Sequence, residues 1–141
     1  MSRKVAREIA FKIIFETSFQ EEDNLEELTG MLFNTNDELN KELNSEDNKY
    51  IEEITNGVNE KKSEIDNCIS SHLKGWTMGR ISKIDIAILR LAIYEIKFRE
   101  DIPYKVSVNE AVELAKVYSD DSSPSFINGV LAEVINDKNG G

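Results

Sequence analysis

The chain has 141 residues, of which 40% are hydrophobic and 31% charged, and its net charge is −10. This length favours one domain with a single core, and the apolar fraction excludes disorder over most of the chain. No stretch approaches the ~18 consecutive apolar residues of a membrane span, and charges interrupt the apolar N-terminus, unlike in a secretory signal. We therefore predict a cytoplasmic protein with one domain at residues 1–138 and a frayed tail at 139–141.

The sequence contains one cysteine, Cys68, and one histidine, His72. These counts exclude an internal disulfide, a cysteine-based metal cluster and a site built from several histidines. The sequence also lacks a phosphate-binding glycine loop and the zinc-protease motif. We predict that the protein is not an enzyme and needs neither a metal nor a cofactor.

The acidity is unevenly distributed along the chain. Residues 21–60 carry a net charge of −11, whereas residues 1–20 carry +2, residues 61–106 carry +3 and residues 107–141 carry −4. Because salt screens charges beyond about 8 Å, the local sign matters more than the net charge for contact with RNA. Binding to nucleic acid should therefore be local and selective.

Apolar residues recur with helical spacing through most of the chain, and no segment alternates with the period of a strand. This pattern predicts an all-α fold, a compact bundle of about seven helices. The predicted helices cover residues 3–19, 24–33, 47–58, 59–73, 81–99, 107–118 and 124–136.

The first predicted helix has two different faces. Its core face gathers Ala6, Ile9, Ala10 and Ile13, and the opposite face gathers Arg3, Lys4, Arg7, Phe11 and Phe15. Cations interleaved with aromatic rings match what unpaired RNA requires, charges for phosphates and rings for stacking. A second interpretation, that the two rings complete a broad apolar face, also fits the periodicity.

The predicted helix at 81–99 is apolar around most of its circumference, which indicates a central core helix. Lys83, Arg90 and Lys97 form a narrow stripe on it. The stripe is either a solvated edge, a site where Arg90 pairs with a carboxylate of the following helix, or a basic strip that contacts RNA or a partner. Asp85 either serves the electrostatics of the helix N-terminus or binds a cation of a partner.

The last two predicted helices have recognisable start signals. Ser107 or Asn109 can cap the first of them, and Ser107 would form a capping box with Glu110. Ser123 followed by Pro124 fits a cap with proline at the first helical position. Gly129 lowers helix stability by up to ~1 kcal/mol relative to alanine, so we expect another chain element or a ligand to approach it closely.

Four blocks follow one another along the chain: RKVAREIAFKIIF at 3–15, WTMGRISKIDIAILRLAIYE at 76–95, PYKVSVNEAVELAKVY at 103–118 and FINGVL at 126–131. Together they resemble the NusB family of bacterial transcription antitermination factors. The acidic residues 20–60 match that family only in length and helicity.

The resemblance implies a seven-helix fold of two packed helical subdomains and an RNA-binding function without catalysis. It implies a complex with NusE, a small-subunit ribosomal protein, on single-stranded boxA RNA in nascent ribosomal RNA transcripts, together with other Nus factors and RNA polymerase. We expect a monomer or a weak homodimer.

The same resemblance suggests which residues make these contacts. Asp85 and Ile81 are the candidates for binding the partner. The candidates for RNA binding are Arg3, Lys4, Arg7, Phe15, Phe126 and Asn128. Because Arg7 is one of them, Arg7→Glu should abolish RNA binding while the protein stays helical.

Two alternatives are open at this point. The first alternative to an RNA-binding antitermination factor is a helical protein–protein adaptor without RNA contact. The second is a detached NusB-like domain of an RNA-cytosine methyltransferase. Salt-dependent binding to a short unpaired RNA, with and without NusE, separates the adaptor from the RNA-binding factor.

Overall fold

The computed structural model describes residues 2–17, 44–75 and 77–140, without the side chains of residues 2, 3, 139 and 140. These residues form six α-helices and one 3₁₀ turn, and no strand occurs among them, so the all-α prediction is confirmed. The helix predicted at 24–33 lies outside the described residues. The elements are α1 (Ser2–Thr17), α2 (Ser45–Glu60), α3 (Lys62–Ser71), the 3₁₀ turn (Met78–Arg80), α4 (Lys83–Phe98), α5 (Tyr104–Tyr118) and α6 (Ser123–Gly140).

Helix α2 begins two residues earlier than predicted because Asn44 and Asp47 form a capping box. The Asp47 amide donates to Asn44 Oδ1 at 2.9 Å, and the Asn44 amide donates to Asp47 Oδ2 at 3.3 Å. These two bonds satisfy amides that have no partner within the helix. A break at Lys61 then separates α2 from α3, with the Lys61 amide still bonded to the Gly57 carbonyl.

The prediction that Ser107 or Asn109 caps α5 is wrong. Helix α5 begins at Tyr104, and its N-cap is Pro103, whose φ of −61° is fixed by its ring. Ser107 therefore lies inside the helix, where it is buried and donates a hydrogen bond to Glu95. The last helix begins at Ser123, one residue before the predicted first helical residue Pro124.

Helix α4 is the centre of the molecule, as its sequence predicts. It packs against each of the other five described helices, and α1–α2 and α5–α6 contact each other beside it. Its residues are buried around most of its circumference, as expected of a helix with so narrow a polar stripe. The fully buried ones include Ala87, Ile88, Leu89, Ala92 and Ile93.

Helices α2 and α4 cross closely at Gly57. A Cβ atom at Gly57 would overlap the ring of Tyr94. Tyr94 is itself buried and stacks on Phe98, with ring centroids 5.0 Å apart. Glycine is thus required here for packing, since the ring occupies the space that any side chain would take.

The basic stripe predicted on α4 is interrupted at its middle. Arg90 forms two hydrogen bonds with Asp66, from Nε to Oδ1 at 2.8 Å and from Nη2 to Oδ2 at 2.9 Å. Asp66 lies on the preceding helix α3, not on the following one as predicted.

Within the described residues, no helix is both long and apolar enough to cross a membrane.

Candidate nucleic-acid interface

The core face of α1 is confirmed. Ala6, Ile9, Ala10 and Ile13 are all at most 2% exposed. This face packs against α2 and α4, so the orientation of α1 follows from its apolar periodicity.

Arg7 does not lie on an exposed face, and the prediction that it projects outward is wrong. It is 5% exposed, and its Nε donates to Glu95 Oε2 at 2.9 Å. Burial acts to lower the pKa of Arg7, but Glu95 and Tyr50 raise the pKa by more, so it lies above the usual value. The guanidinium therefore stays charged and neutralises a carboxylate inside the protein.

Phe11 is also buried, contrary to the prediction for its face. It is 3% exposed, and its ring centroid lies 5.2 Å from that of Tyr118 and 6.4 Å from that of Phe15. Phe15 is half-buried and packs against the edge of the core. Of the two rings, Phe15 is the one that an RNA base can reach.

The cations at the outer edge of α1 are Lys4 and Lys12. Lys4 is exposed, and Lys12 is half-buried with its Nζ 5.6 Å from the ring centroid of Tyr118 and 3.6 Å from Glu8 Oε2. Arg3 belongs to the first turn of α1, but its side chain is outside the described part of the chain.

A groove of about 300 Å³ opens where the N-terminus of α4 meets the N-terminus of α6. We call it the Phe126 groove. It brings the predicted RNA-binding residue Phe126 together with the predicted partner-binding residues Ile81 and Asp85. Its lining consists of Arg80, Ile81, Ser82, Asp85, Asp120, Ser122, Ser123 and Phe126.

Asp85 is buried at the floor of this groove, where it holds three segments together. Its Oδ1 accepts from Ser119 at 2.7 Å and its Oδ2 from Ser123 at 2.9 Å. Its own amide donates to the N-cap Ser82 at 3.1 Å. The interpretation of Asp85 as part of the helix N-terminus agrees with this geometry, and its binding to a partner stays a prediction, as it does for Ile81.

Asn128 and Gly129 are exposed on the first turns of α6. A Cβ atom at Gly129 would have no heavy atom within 4 Å. The expected close approach of another chain element is therefore not found among the described residues, and the surface there is open to a ligand.

The C-terminus of α5 connects the edge of α1 with the Phe126 groove. Tyr118 donates to Glu8 of α1 at 2.8 Å, and the next residue, Ser119, donates to Asp85 of α4. Burial, with this hydrogen bond to Glu8, raises the pKa of Tyr118 to about 12, so the phenol keeps its proton at neutral pH. The two candidate surfaces are neighbours because consecutive residues contact both.

Sequence reasoning missed Lys12, Tyr118 and Arg80 as members of these surfaces. Arg80 is exposed in the Phe126 groove, 46 residues away from Phe126 in sequence, so only the fold brings them together. The positive charge of residues 61–106 was a signal for Arg80, but it did not indicate which cation faces this groove.

Exposed cations, a reachable aromatic edge and a polar groove on an all-α scaffold agree with the class of small helical nucleic-acid-binding proteins. Residues 4–136 match the model of the NusB family. The chain belongs to the NusB family.

Individual relatives agree with this assignment. The transcription antitermination protein NusB of Clostridium novyi is 47% identical over 135 residues, which cover 96% of this chain and 98% of that protein. The structure of T. maritima NusB is 32% identical, with a TM-score of 0.84 over 96% of this chain and 91% of that one. A crystal structure of antitermination factors NusB and NusE in complex with double-stranded RNA matches at 26% identity, with a TM-score of 0.83 over 96% and 97%.

Proposed function

We propose that this chain is an RNA-binding transcription antitermination factor that works with NusE. The pair binds boxA RNA in nascent transcripts of ribosomal RNA operons and joins other Nus factors on RNA polymerase. The role requires no catalysis, and it places the protein in the cytoplasm, where a bacterial transcript emerges.

One observation carries this proposal beyond family membership. The cationic edge of α1 and the Phe126 groove adjoin each other through Tyr118 and Ser119. Together they offer cations for phosphates, and Phe15 and Phe126 as rings for bases. A strand lying from one surface to the other would meet both kinds of contact, which is what recognition of unpaired RNA requires.

The expected strength of this contact is modest. Three or four phosphate contacts from Lys4, Lys12, Arg80 and Arg3 correspond to a log–log salt slope of about −2 to −3 for single-stranded RNA. Each stacked base adds roughly 1–3 kcal/mol. The burial of Arg7 and Phe11 removes two of the groups first predicted to contribute, so the partner supplies a larger share of the affinity.

The partner proposal rests on the relative solved with NusE. Ile81 on the rim of the Phe126 groove is the described residue that we assign to direct contact with NusE. Asp85 contributes by holding the rim in place through Ser119 and Ser123.

The test is binding of fluorescein-labelled boxA RNA, measured by anisotropy with and without NusE between 50 and 300 mM salt. We expect NusE to tighten binding and the slope to lie near −2 to −3. A scrambled single strand and a boxA duplex are the competitors, the duplex because a relative was crystallised with double-stranded RNA. Binding to NusE without any RNA binding would contradict the proposal and favour the adaptor.

Two substitutions examine the surfaces separately. Phe126→Leu keeps an apolar side chain in the groove but removes the stacking face, and should weaken RNA binding about tenfold. Lys4→Gln should reduce the magnitude of the salt slope by about 0.7. Lys138→Gln, at the exposed far end of α6, is the matched control and should change neither quantity.

A further inference from the structure

A buried polar cluster joins α1, α2, α4 and α5, and three of its four members are not among the predicted contacts. Glu95 of α4 is 0% exposed, and it accepts hydrogen bonds from Arg7 of α1, Tyr50 of α2 and Ser107 of α5. We call these four residues the Glu95 cluster. A single carboxylate thus connects four helices.

The hydrogen bonds occupy both oxygens of Glu95. Oε2 accepts from Arg7 Nε at 2.9 Å and from the Tyr50 hydroxyl, and Oε1 accepts from Ser107 at 2.7 Å. Arg7 Nη2 also approaches Oε1 at 3.5 Å. Such a fork fixes the direction of the guanidinium as well as its distance.

The ring of Tyr50 adds a second constraint on Arg7. The Arg7 guanidinium carbon lies 5.7 Å from the ring centroid, and that of Arg99 lies 5.8 Å from it. Arg99 is held in turn by Asp101 at 2.8 Å and Glu53 at 3.2 Å. Arg7 is therefore confined by an ion pair and by a ring whose own position is fixed.

Arg7 is well placed to control the orientation of α1. It is one turn from Lys4 and two turns from Phe15, on the same side of the helix. Rotation of α1 that exposed Arg7 would move both of those residues, and it would leave Glu95 buried without its cation. The ion pair thus adds a directional constraint on the exposed edge of α1 to the one that its apolar face supplies.

From this geometry we propose that Glu95, acting through Arg7, is a positioning residue for the RNA-binding surface. Arg7 is then not a phosphate ligand. The inference rests on the proposed function for its RNA readout only. Tyr50 and Ser107 support the same carboxylate from the other two helices.

The decisive variant is Glu95→Gln, because the two roles of Arg7 predict opposite results. If Glu95 positions α1, RNA affinity falls roughly tenfold and the salt slope is unchanged. If Glu95 merely holds Arg7 back from RNA, the variant releases a cation, so affinity rises and the slope becomes steeper by about 0.7. The second result would overturn the inference.

Two further variants keep the test decisive if Glu95→Gln does not fold. Tyr50→Phe and Ser107→Ala each remove one hydrogen bond to Glu95 without changing any charge. Each should weaken RNA binding with an unchanged slope, at a temperature where circular dichroism shows a fully folded protein. Ser71→Ala, which removes an exposed hydroxyl bonded only to the Cys68 carbonyl and to the adjacent His72, is the control and should bind like the wild type.

Amide chemical shifts give a readout that does not depend on RNA. Loss of the positioning contact should shift the amides of residues 4–15 of α1 more than those of residues 127–136 of α6, whereas uniform loosening would affect both. Unchanged α1 shifts in all variants would refute the inference. Failure of the wild type to bind boxA RNA with NusE would refute the proposed function instead, and the α1 shifts would still decide the role of Glu95.

Discussion

A buried arginine needs a partner for both its charge and its hydrogen bonds. Arg7 has this partner in Glu95, on a helix 88 residues further along the chain. Periodicity placed Arg7 opposite the core face of α1, and a cation beside aromatic residues resembled an RNA contact. No pattern within α1 indicates the distant carboxylate, which is why the exposure of Arg7 was predicted wrongly.

This ion pair changes what substitution of Arg7 should do. Arg7→Glu would place a second carboxylate beside Glu95, so the folded, helical variant expected from the sequence should not form. Arg7→Met should lower the free energy of unfolding by about 3–5 kcal/mol, because Glu95 would keep a buried charge without its cation. Urea unfolding at neutral pH measures this loss.

The control for Arg7→Met is the double variant with Glu95→Gln. Glutamine removes the uncompensated charge; its single oxygen can still accept from one of the hydroxyls of Tyr50 and Ser107, and its amide nitrogen can donate to the other. The double variant should therefore be more stable than Arg7→Met alone. A double variant of equal or lower stability would show that the ion pair does not dominate at this position.

Tyr118 should make stability depend on alkaline pH. Its pKa is raised from the usual 10.0 to about 12, because the folded protein buries the phenol and bonds it to Glu8. Since the folded pKa is the higher one, the contribution is fully present below pH 10 and is lost as the pH rises through about 12. Tyr118→Phe should lose less unfolding free energy over this window, as measured by urea titrations. Identical pH profiles would contradict this assignment.

At the scale of elements, the helices follow closely from local sequence. The apolar circumference of residues 81–99 correctly predicted the central helix, and Ser123–Pro124 predicted the start of α6 to within one residue. The prediction that Ser107 caps α5 was wrong because a serine that fits a capping pattern can also be a buried hydrogen-bond donor. The nearby proline had already determined where α5 begins.

Substitution by alanine should destabilise the protein at Gly57 of α2 and stabilise it at Gly129 of α6. At Gly57 the added Cβ would displace the Tyr94 ring, which costs about 1–3 kcal/mol and exceeds the helix preference for alanine of up to ~1 kcal/mol. Gly57→Ala should therefore lower the melting temperature. Gly79→Ala, where a Cβ would have no heavy atom within 4 Å, is the control and should melt near the wild-type temperature.

Gly129→Ala should instead stabilise the protein by up to ~1 kcal/mol, since a Cβ meets open space in α6. If RNA passes over Asn128 and Gly129, the same variant should bind boxA RNA more weakly despite its higher stability. Thermal melting and anisotropy measured on one preparation test both statements. A lower melting temperature would show that the glycine relieves a constraint that the Cβ position does not reveal.

At the scale of the whole molecule, net charge alone does not indicate the function. The protein carries −10 overall, yet Lys4 and Lys12 lie at the edge of α1 and Arg80 is exposed in the Phe126 groove. The class and family could be predicted from sequence because four blocks lie in order along the chain. The two candidate surfaces could not be predicted from sequence. They depend on residues as distant along the chain as Arg80 and Phe126, and on which cations are buried in ion pairs inside the core.

The C-terminus of α5 should not tolerate insertions or deletions between Tyr118 and Ser119. Tyr118 and Ser119 face different helices, yet only one peptide bond separates them. A single residue inserted between them would take one side chain out of range of its acceptor, whereas the polar segment that follows has more freedom. Insertions and deletions among natural homologues should therefore avoid this dipeptide and accumulate further along the connection.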